Sequence, residues 1–433
     1  MLTASFYTLG CRLNQTESAL IAQSLKAKGY EITEAKTGAD LCVINSCTVT
    51  GPSDLKCRQL IRQVQKQNPG AKVAVIGCYS QMASEEILAI GGVDLVLGTE
   101  DKLKLAQYLD LVEPGGEPVV RVGAIGKGAF SLDAPVQHRG LTRANLKIQD
   151  GCDFLCSFCI IPQARGRSRS RLFEDTLAEA RSLGAAGVKE LVLTGVNLGC
   201  YEEGGKGFLD LLAALETVPG VERIRISSIE PTTLGTQVFG PMADRGAKLV
   251  PHLHLPLQSG SDRVLKAMRR RYDQAEYLAF LEQAVREVPD LGVGTDVIVG
   301  FPGETDREFQ DTYDLLARSA VQYFHVFPFA LRPGTKAESM EGFLSPQVIT
   351  ERALALRELG DQKQEAFARS YLGREVRVLF EHNGGGNRWS GYADNYLRVQ
   401  LHSEQALGNQ LVQVKITGNQ DSLALGELMA PEG

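Results

Sequence analysis

The chain has 433 residues, 43% of them hydrophobic and 23% charged, with a formal net charge of −6. Its length suits two or three domains with sizeable cores, and its balance is that of a soluble globular protein. No apolar run approaches the roughly eighteen residues of a membrane span, and Gly10, Asn14, Gln15 and Glu17 break up any leader-like core, so no membrane association is expected. Nine cysteines without a secretory leader point to a cytoplasmic protein whose thiols bind metal or catalyse, not to a disulfide framework.

In chain order, four short apolar runs at residues 4–9, 41–45, 73–77 and 93–98 predict buried parallel strands. Helical patterns at about 17–28, 53–67 and 84–90 sit between them, so the first 128 residues predict an open parallel α/β domain. Three of these strands end alike, in TLGC, INSC and VIGC, which sets Cys11, Cys47 and Cys78 directly after them. Strand carboxyl ends in such a sheet line one edge, where ligands bind, so three cysteines distant in sequence converge on a candidate metal site. The plainer reading is buried cysteine used as a small hydrophobe, and Cys42, Cys57 and Cys200 are assigned to it.

Residues 113–140, with EPGGEP and GAIGKGAF, read as loop, and 129–141 as the linker itself. Alternation of strand and helix then resumes. Strands are predicted at about 144–149, 190–194, 223–227, 252–256, 294–299 and 323–327, with helices at 173–183, 209–216, 262–268, 274–288 and 306–317. Six βα units predict a partial (β/α)6 TIM-like barrel with its active loops at the strand ends, spanning residues 142–371 and closing with a long polar helix at 346–371. Residues 372–433 change to short strands, EVRVLFE, YLRVQL and LVQVKI, between Gly/Asn turns, and predict a small all-β domain.

The stretch GCDFLCSFC holds Cys152, Cys156 and Cys159 in a CxxxCxxC spacing right after the first predicted barrel strand. Thiolates select soft metals and iron–sulfur clusters. A structural zinc site closes with four ligands, and a four-iron cluster normally takes four cysteines, so three leave one metal position open. This loop, with Phe158 before its last cysteine, resembles that of the radical S-adenosylmethionine superfamily. The resemblance implies that Cys152, Cys156 and Cys159 hold a catalytic [4Fe-4S] cluster. The open iron would then be chelated by S-adenosylmethionine, which is cleaved to a 5′-deoxyadenosyl radical. It further implies a cofactor pocket drawn from Phe158, from Thr194, Gly195 and Asn197 (TGVN), from Ser228 and Glu230 (SSIE), and from Gln258, Asp296 and Gly300 in the later strand-end loops.

With the three strand-end cysteines added, the whole chain resembles the methylthiotransferases, whose N-terminal domain carries an auxiliary [4Fe-4S] cluster and whose C-terminal domain is a TRAM module. The resemblance places that auxiliary cluster on Cys11, Cys47 and Cys78. It implies two molecules of S-adenosylmethionine, one donating methyl to sulfur and one serving as radical source, with an electron donor such as flavodoxin or ferredoxin. Arg12-Leu13-Asn14 after Cys11, CIIPQARGRSRSR and HVFPFALRPGT look like the branch that modifies C2 of N6-threonylcarbamoyladenosine in the tRNA anticodon loop. Alternatives are isopentenyladenosine in tRNA, a ribosomal protein aspartate, and an iron–sulfur sensor without transferase activity.

An acidic chain is not an evident RNA binder, but its basic residues cluster. Segment 139–171 carries Arg139, Arg143, Lys147, Arg165, Arg167, Arg169 and Arg171 against Asp150 and Asp153, and SDRVLKAMRRR is similarly basic. Arg165, Arg167, Arg169 and Arg171 are thus candidate phosphate contacts near the barrel mouth, with Arg377 and Trp389 as candidates on the last domain for phosphate contact and base stacking.

Overall fold

The computed structural model describes residues 1–49, 51–113, 115–132 and 141–429. Most of the linker read at 129–141, with Arg139, lies outside the described residues.

The N-terminal sheet has six parallel strands, ordered Glu31–Thr33, Thr3–Thr8, Leu41–Ser46, Lys72–Gly77, Leu95–Leu97 and Val119–Arg121. Every residue of Leu41–Ser46 is buried, as expected for a central strand covered on both faces. Its two faces belong to separate cores, one around Ile21, Val43 and Ile76 and another around Ile44, Ile61 and Val75. Two edge strands were not read from sequence. Glu31–Thr33 and Val119–Arg121 are three residues each, and the latter falls inside the segment read as loop.

The central unit holds two three-stranded parallel sheets, Arg143–Lys147, Glu190–Thr194 and Arg223–Ile226, then His252–His254, Gly292–Val299 and Tyr323–Pro328. Bridges at Ile224–Leu249 and Ser228–His254 join them into one curved six-stranded wall. One continuous core, from Ala144 through Leu193, Leu253 and Val297 to Leu359, runs between wall and helices. The helix Pro346–Arg369 starts with a Ser345 side-chain cap and packs along Tyr323–Pro328. The last unit is a closed five-stranded barrel, and the sequence reading missed its strands Arg388–Ala393 and Leu423–Leu428.

Arg223 and Arg225 alternate with Ile224 and Ile226, so both arginines face one side of their strand. There they meet Glu190, with Arg225 Nε 2.7 Å from Glu190 Oε1 and Arg223 paired to Oε2. The opposite ends hold the small barrel: Arg223 Nη1 donates to Tyr392 O at 3.1 Å, and Arg225 Nη1 to Asp394 O at 2.8 Å. Burial alone would raise the Glu190 carboxyl, yet Arg225 and Arg223 hold it far below the usual carboxylate range. Its ionised form therefore contributes stability above about pH 4.3, and that stability is lost as pH falls towards the folded value. Glu190→Ala, which strands two buried guanidinium groups, is expected to cost on the order of 3–5 kcal/mol. A thermal or urea midpoint equal to that of the parent would contradict this.

Candidate functional site

Cys11 is the N-cap of the helix Arg12–Ala27, Cys47 follows the strand Leu41–Ser46, and Cys78 opens the helix Cys78–Met82 after Lys72–Gly77. The sheet edge gathers all three, so the convergence read from the strand ends is found in the fold. Gly10 adopts φ +95°, and a methyl group there would lie 2.8 Å from Cys47 Cβ and 2.9 Å from its Sγ. The backbone before Cys11 thus runs directly against Cys47. Asn14 Nδ2 ties the two strand ends by donating to Leu9 O at 2.8 Å and Ser46 O at 2.9 Å. Burial raises the Cys47 thiol to about 11, with Cys78 and Cys11 adding to the effect. Burial also raises Cys78, against the pull of Arg165 and Lys102.

Those two cations belong to a buried network. Glu17 Oε1 takes Lys102 at 2.8 Å, Lys147 at 2.8 Å and Arg165 at 3.0 Å, and Asp150 takes Lys147 at 2.6 Å and Arg165 at 3.0 Å. Arg165 Nη2 also donates to Asn14 Oδ1 at 2.7 Å. Three cations against two carboxylates leave a surplus positive charge beside Cys11 and Cys78. A thiolate-ligated site, which is negative, is stabilised by such a surplus in a low-dielectric setting.

The CxxxCxxC loop lies at the end of the strand Arg143–Lys147, past Gln149–Asp150. Gly151 adopts φ +72° with the Arg167 carbonyl where a side chain would go. Ser157 N and Oγ hold Met268 O at 3.0 Å and Ala267 O at 2.8 Å, and Phe158 packs edge-on to Phe301. Burial pushes Cys152 to about 11 and Cys159 to about 12. Arg270 Nη1 donates to Cys156 Sγ at 3.3 Å while its other nitrogen pairs with Glu230. Gln149 links this loop to TGVN: its Oε1 accepts from Val196 N at 2.8 Å and Asn197 N at 2.9 Å, and its Nε2 donates to Gly151 O at 2.7 Å.

Between the N-terminal strand ends and the TGVN and SSIE loops lies a cavity of about 910 Å3. Gly10, Cys11, Arg12 and Cys47 form one wall, and Thr194, Gly195, Ser228 and Asp296 lie on the barrel side. Asn197 is buried behind them with Nδ2 lacking a partner, and Glu230 is engaged by Arg270. Gln258, at φ +67°, bridges by backbone to Asp296 and Ile298. Gly300 is small because Ile349 packs where its Cβ would be, a helix-packing reason. Asp296 is half-buried, and desolvation alone would raise its carboxyl, but the His254 and His325 rings, each with a nitrogen 3.0 Å away, hold it below the usual range. The ligand atoms of His254, Asp296 and His325 lie within 4.8 Å of one another, close enough to share a cation.

The basic residues need correction. Arg165 and Arg171 are both 1% exposed, Arg165 in the network above and Arg171 held by Asp175 and Glu179, so neither reaches a phosphate. Arg169 is also buried, against Glu100 at 3.1 Å, and Arg270 faces a thiol instead of solvent. Trp389 is partly buried against the small barrel's core and donates Nε1 to Ser403 O at 3.3 Å, so part of its ring is taken up by packing. Arg377 pairs with Asp394 at 3.0 Å. Arg167 is open to solvent, its nearest carboxylate Asp153 at 3.7 Å. Sequence reasoning missed Gln149, Arg270, His254 and His325. Gln149 and Arg270 flank the cysteine loops in sequence or fold, and only the fold brings the histidines together.

Residues 146–316 match the Radical SAM superfamily, and residues 3–98 match a family described as "Uncharacterized protein family UPF0004". A threonylcarbamoyladenosine tRNA methylthiotransferase of Bacillus subtilis is 42% identical over 425 residues, covering 96% of this chain and 94% of that one. The chain belongs to the radical S-adenosylmethionine methylthiotransferase family. A tRNA-2-methylthio-N(6)-dimethylallyladenosine synthase of Cereibacter sphaeroides is 35% identical over 430 residues, covering 97% of each chain. In fold, a radical S-adenosylmethionine methyltransferase of Kitasatospora setae superposes with a TM-score of 0.54 at 15% identity, over 78% of this chain and 76% of that one. The protein is therefore an enzyme that uses S-adenosylmethionine and a [4Fe-4S] cluster, and the thiol-only donor sets fit that cofactor chemistry. No helix among the described residues is long and apolar enough to cross a membrane.

Gly10→Ala places a side chain on Cys47 and strains a φ of +95°. It is expected to lower iron uptake at the N-terminal triad while leaving the CxxxCxxC site loaded, as read by iron analysis and electron paramagnetic resonance of the reconstituted protein. Full iron content in the variant would contradict that placement.

Proposed function

We propose that the enzyme methylthiolates C2 of N6-threonylcarbamoyladenosine in the anticodon loop of tRNA. The observation that carries this reading is the shared cavity, with Cys11 and Cys47 on one wall and the TGVN and SSIE loops on the other. The name of the 42% identical relative supports the substrate, and its margin over the 35% identical dimethylallyladenosine enzyme favours this branch. Cys152, Cys156 and Cys159 would hold the radical cluster, Cys11, Cys47 and Cys78 the auxiliary one, and Thr194, Gly195 and Ser228, with Asn197 behind them, would border the space for S-adenosylmethionine. When bound, these groups supply the electron, the radical, the methyl group and the sulfur, with reducing equivalents from an external donor protein.

The chain's own residues set the conditions for that chemistry. Arg270 donates a hydrogen bond to Cys156 and stabilises its thiolate over its thiol, against a burial cost that alone would raise it. Gln149 fixes the CxxxCxxC loop relative to TGVN, so that cofactor loops on successive strands keep register. Arg332 donates to Asp54 Oδ2 at 2.6 Å and Thr48 Oγ1 at 2.5 Å, which clamps the segment after Cys47 to the barrel's last loop. For tRNA, Arg167 is the exposed cation beside the radical loop, and Arg388 and Arg398 are exposed on the small barrel.

Anaerobic reconstitution followed by reaction with tRNA bearing both modified adenosines tests the reading by mass spectrometry of the digested nucleosides. A methylthio gain on threonylcarbamoyladenosine alone is expected, and a gain confined to the isopentenyl nucleoside would overturn the branch. Cys152→Ala is expected to abolish 5′-deoxyadenosine formation, whereas Cys47→Ala retains it and loses methylthiolation. A methylthiolating Cys47→Ala enzyme would contradict the auxiliary role. Arg167→Ala is expected to weaken tRNA binding and reduce the slope of log affinity against log salt by about one. An unchanged slope would remove Arg167 from the interface.

A further inference from the structure

Charges in the cavity are not evenly matched. Among the described residues Asp296 is the only carboxylate that lines it, and His254 and His325 already hold that group. Arg225 also lines it, but Glu190 and the carbonyls of Ala393 and Asp394 satisfy that guanidinium. Arg12 differs. Its Nη2 donates to the Tyr396 hydroxyl at 3.2 Å, and no carboxylate pairs with it among the described residues. His252 at the same place lacks a full complement. It is 3% exposed and lines the cavity, yet its Nδ1 has no partner, while its Nε2 lies 2.8 Å from the Tyr323 hydroxyl. Burial, with the Arg225, His254 and Arg12 charges beside it, pulls His252 well below its ordinary value, so the ring is neutral. A neutral ring carries its proton on either nitrogen, and the tautomer in which Tyr323 donates to Nε2 turns Nδ1 into a donor, the form a carboxylate in the cavity would select. Tyr396 reaches in from the small barrel with φ +71°, a conformation that a bulky residue keeps only where surroundings enforce it. Its ring lies 4.7 Å from that of His252.

We infer that Arg12, the His252 Nδ1 and the Tyr396 hydroxyl form a receptor for the free carboxylate of the substrate's threonylcarbamoyl group. This rests on the substrate reading above and adds the residue that enforces it. A guanidinium without an acid partner presents a fork of N–H donors that matches a carboxylate in two-point geometry, and partial burial strengthens such a pair. The dimethylallyl substituent has no charge and would leave Arg12 and the histidine donor desolvated without a partner, which is costly. Discrimination thus comes from both attraction of the acid and rejection of the hydrocarbon. The receptor draws one residue from each of the three structural units: Arg12 from the N-terminal helix, His252 from the central wall, and Tyr396 from the small barrel. A threonylcarbamoyl side chain engaged there would register the docking of all three units at once.

The test uses the full-length reconstituted enzyme and anticodon stem–loop RNA carrying threonylcarbamoyladenosine or the same nucleoside with its carboxylate converted to the primary carboxamide. Parent, Arg12→Gln, Arg12→Lys and Tyr396→Phe are compared, with iron content and electron paramagnetic resonance of both clusters as the check on folding. The parent is expected to prefer acid over amide by roughly 10- to 100-fold in KM, as for a charge-assisted hydrogen bond. Arg12→Gln is expected to erase that preference through KM with kcat little changed, Arg12→Lys to restore part of it, and Tyr396→Phe to reduce it. Equal losses on acid and amide in Arg12→Gln with clusters intact, or an unaltered preference, would overturn the receptor. A parent enzyme that leaves the acid substrate unmodified would overturn the substrate reading itself, an outcome visible before any variant is measured.

Discussion

The buried Glu17 carboxylate is the group on which the rest of the arrangement depends. It sits on the N-terminal helix, yet two of its three cations, Lys147 and Arg165, come from the central unit. Burial would raise that carboxyl; Arg165, Lys102 and Lys147 instead hold it ionised well below the usual range. A buried charge cluster of this kind is costly to assemble and costlier to break, so it selects one relative placement of the two units. That placement sets the helix N-terminus carrying Cys11 across one cavity from the TGVN and SSIE strand ends of the barrel.

The two thiol sites are built differently around the same need. At the N-terminal site, glycine backbone at Gly10 and Gly77 allows close approach, and the charge surplus under Cys78 offsets negative charge through space. At the CxxxCxxC site the offset is a direct hydrogen bond from Arg270, itself oriented by Glu230 and by the Tyr272 hydroxyl at 2.9 Å. In both, thiols that burial would keep protonated have cationic groups at hand to favour the thiolate.

Much of this was legible in the sequence where a local rule has one structural outcome. A cysteine that follows an apolar strand in a parallel sheet must lie on the carboxyl edge, so Cys11, Cys47 and Cys78 could be brought together on paper. The βα alternation likewise set the six central strands. Linear charge counting failed at Arg165 and Arg171, because a run of arginines does not reveal which of them turn inward to Glu17 or Glu179. Alternation in RIRI hid Arg223 and Arg225, since that strand faces other protein on both sides and buries its charges on Glu190. Tyr396 was invisible for another reason: Asp394 and Asn395 announce a turn, but nothing local says a tyrosine beside them will take a left-handed conformation and enter a cavity. The three-residue strand Val119–Arg121 is too short to stand out from the Gly/Pro-rich segment around it.

The proposed chemistry requires the two three-cysteine sites to serve one reaction space. Pulsed electron paramagnetic resonance on the fully reduced, reconstituted protein tests it directly. Two cluster spins with a resolved dipolar interaction are expected, and the interaction disappears when either triad is replaced by alanines. Two spectra that add without interaction, or a single cluster signal in a protein loaded with iron and sulfide, would contradict it.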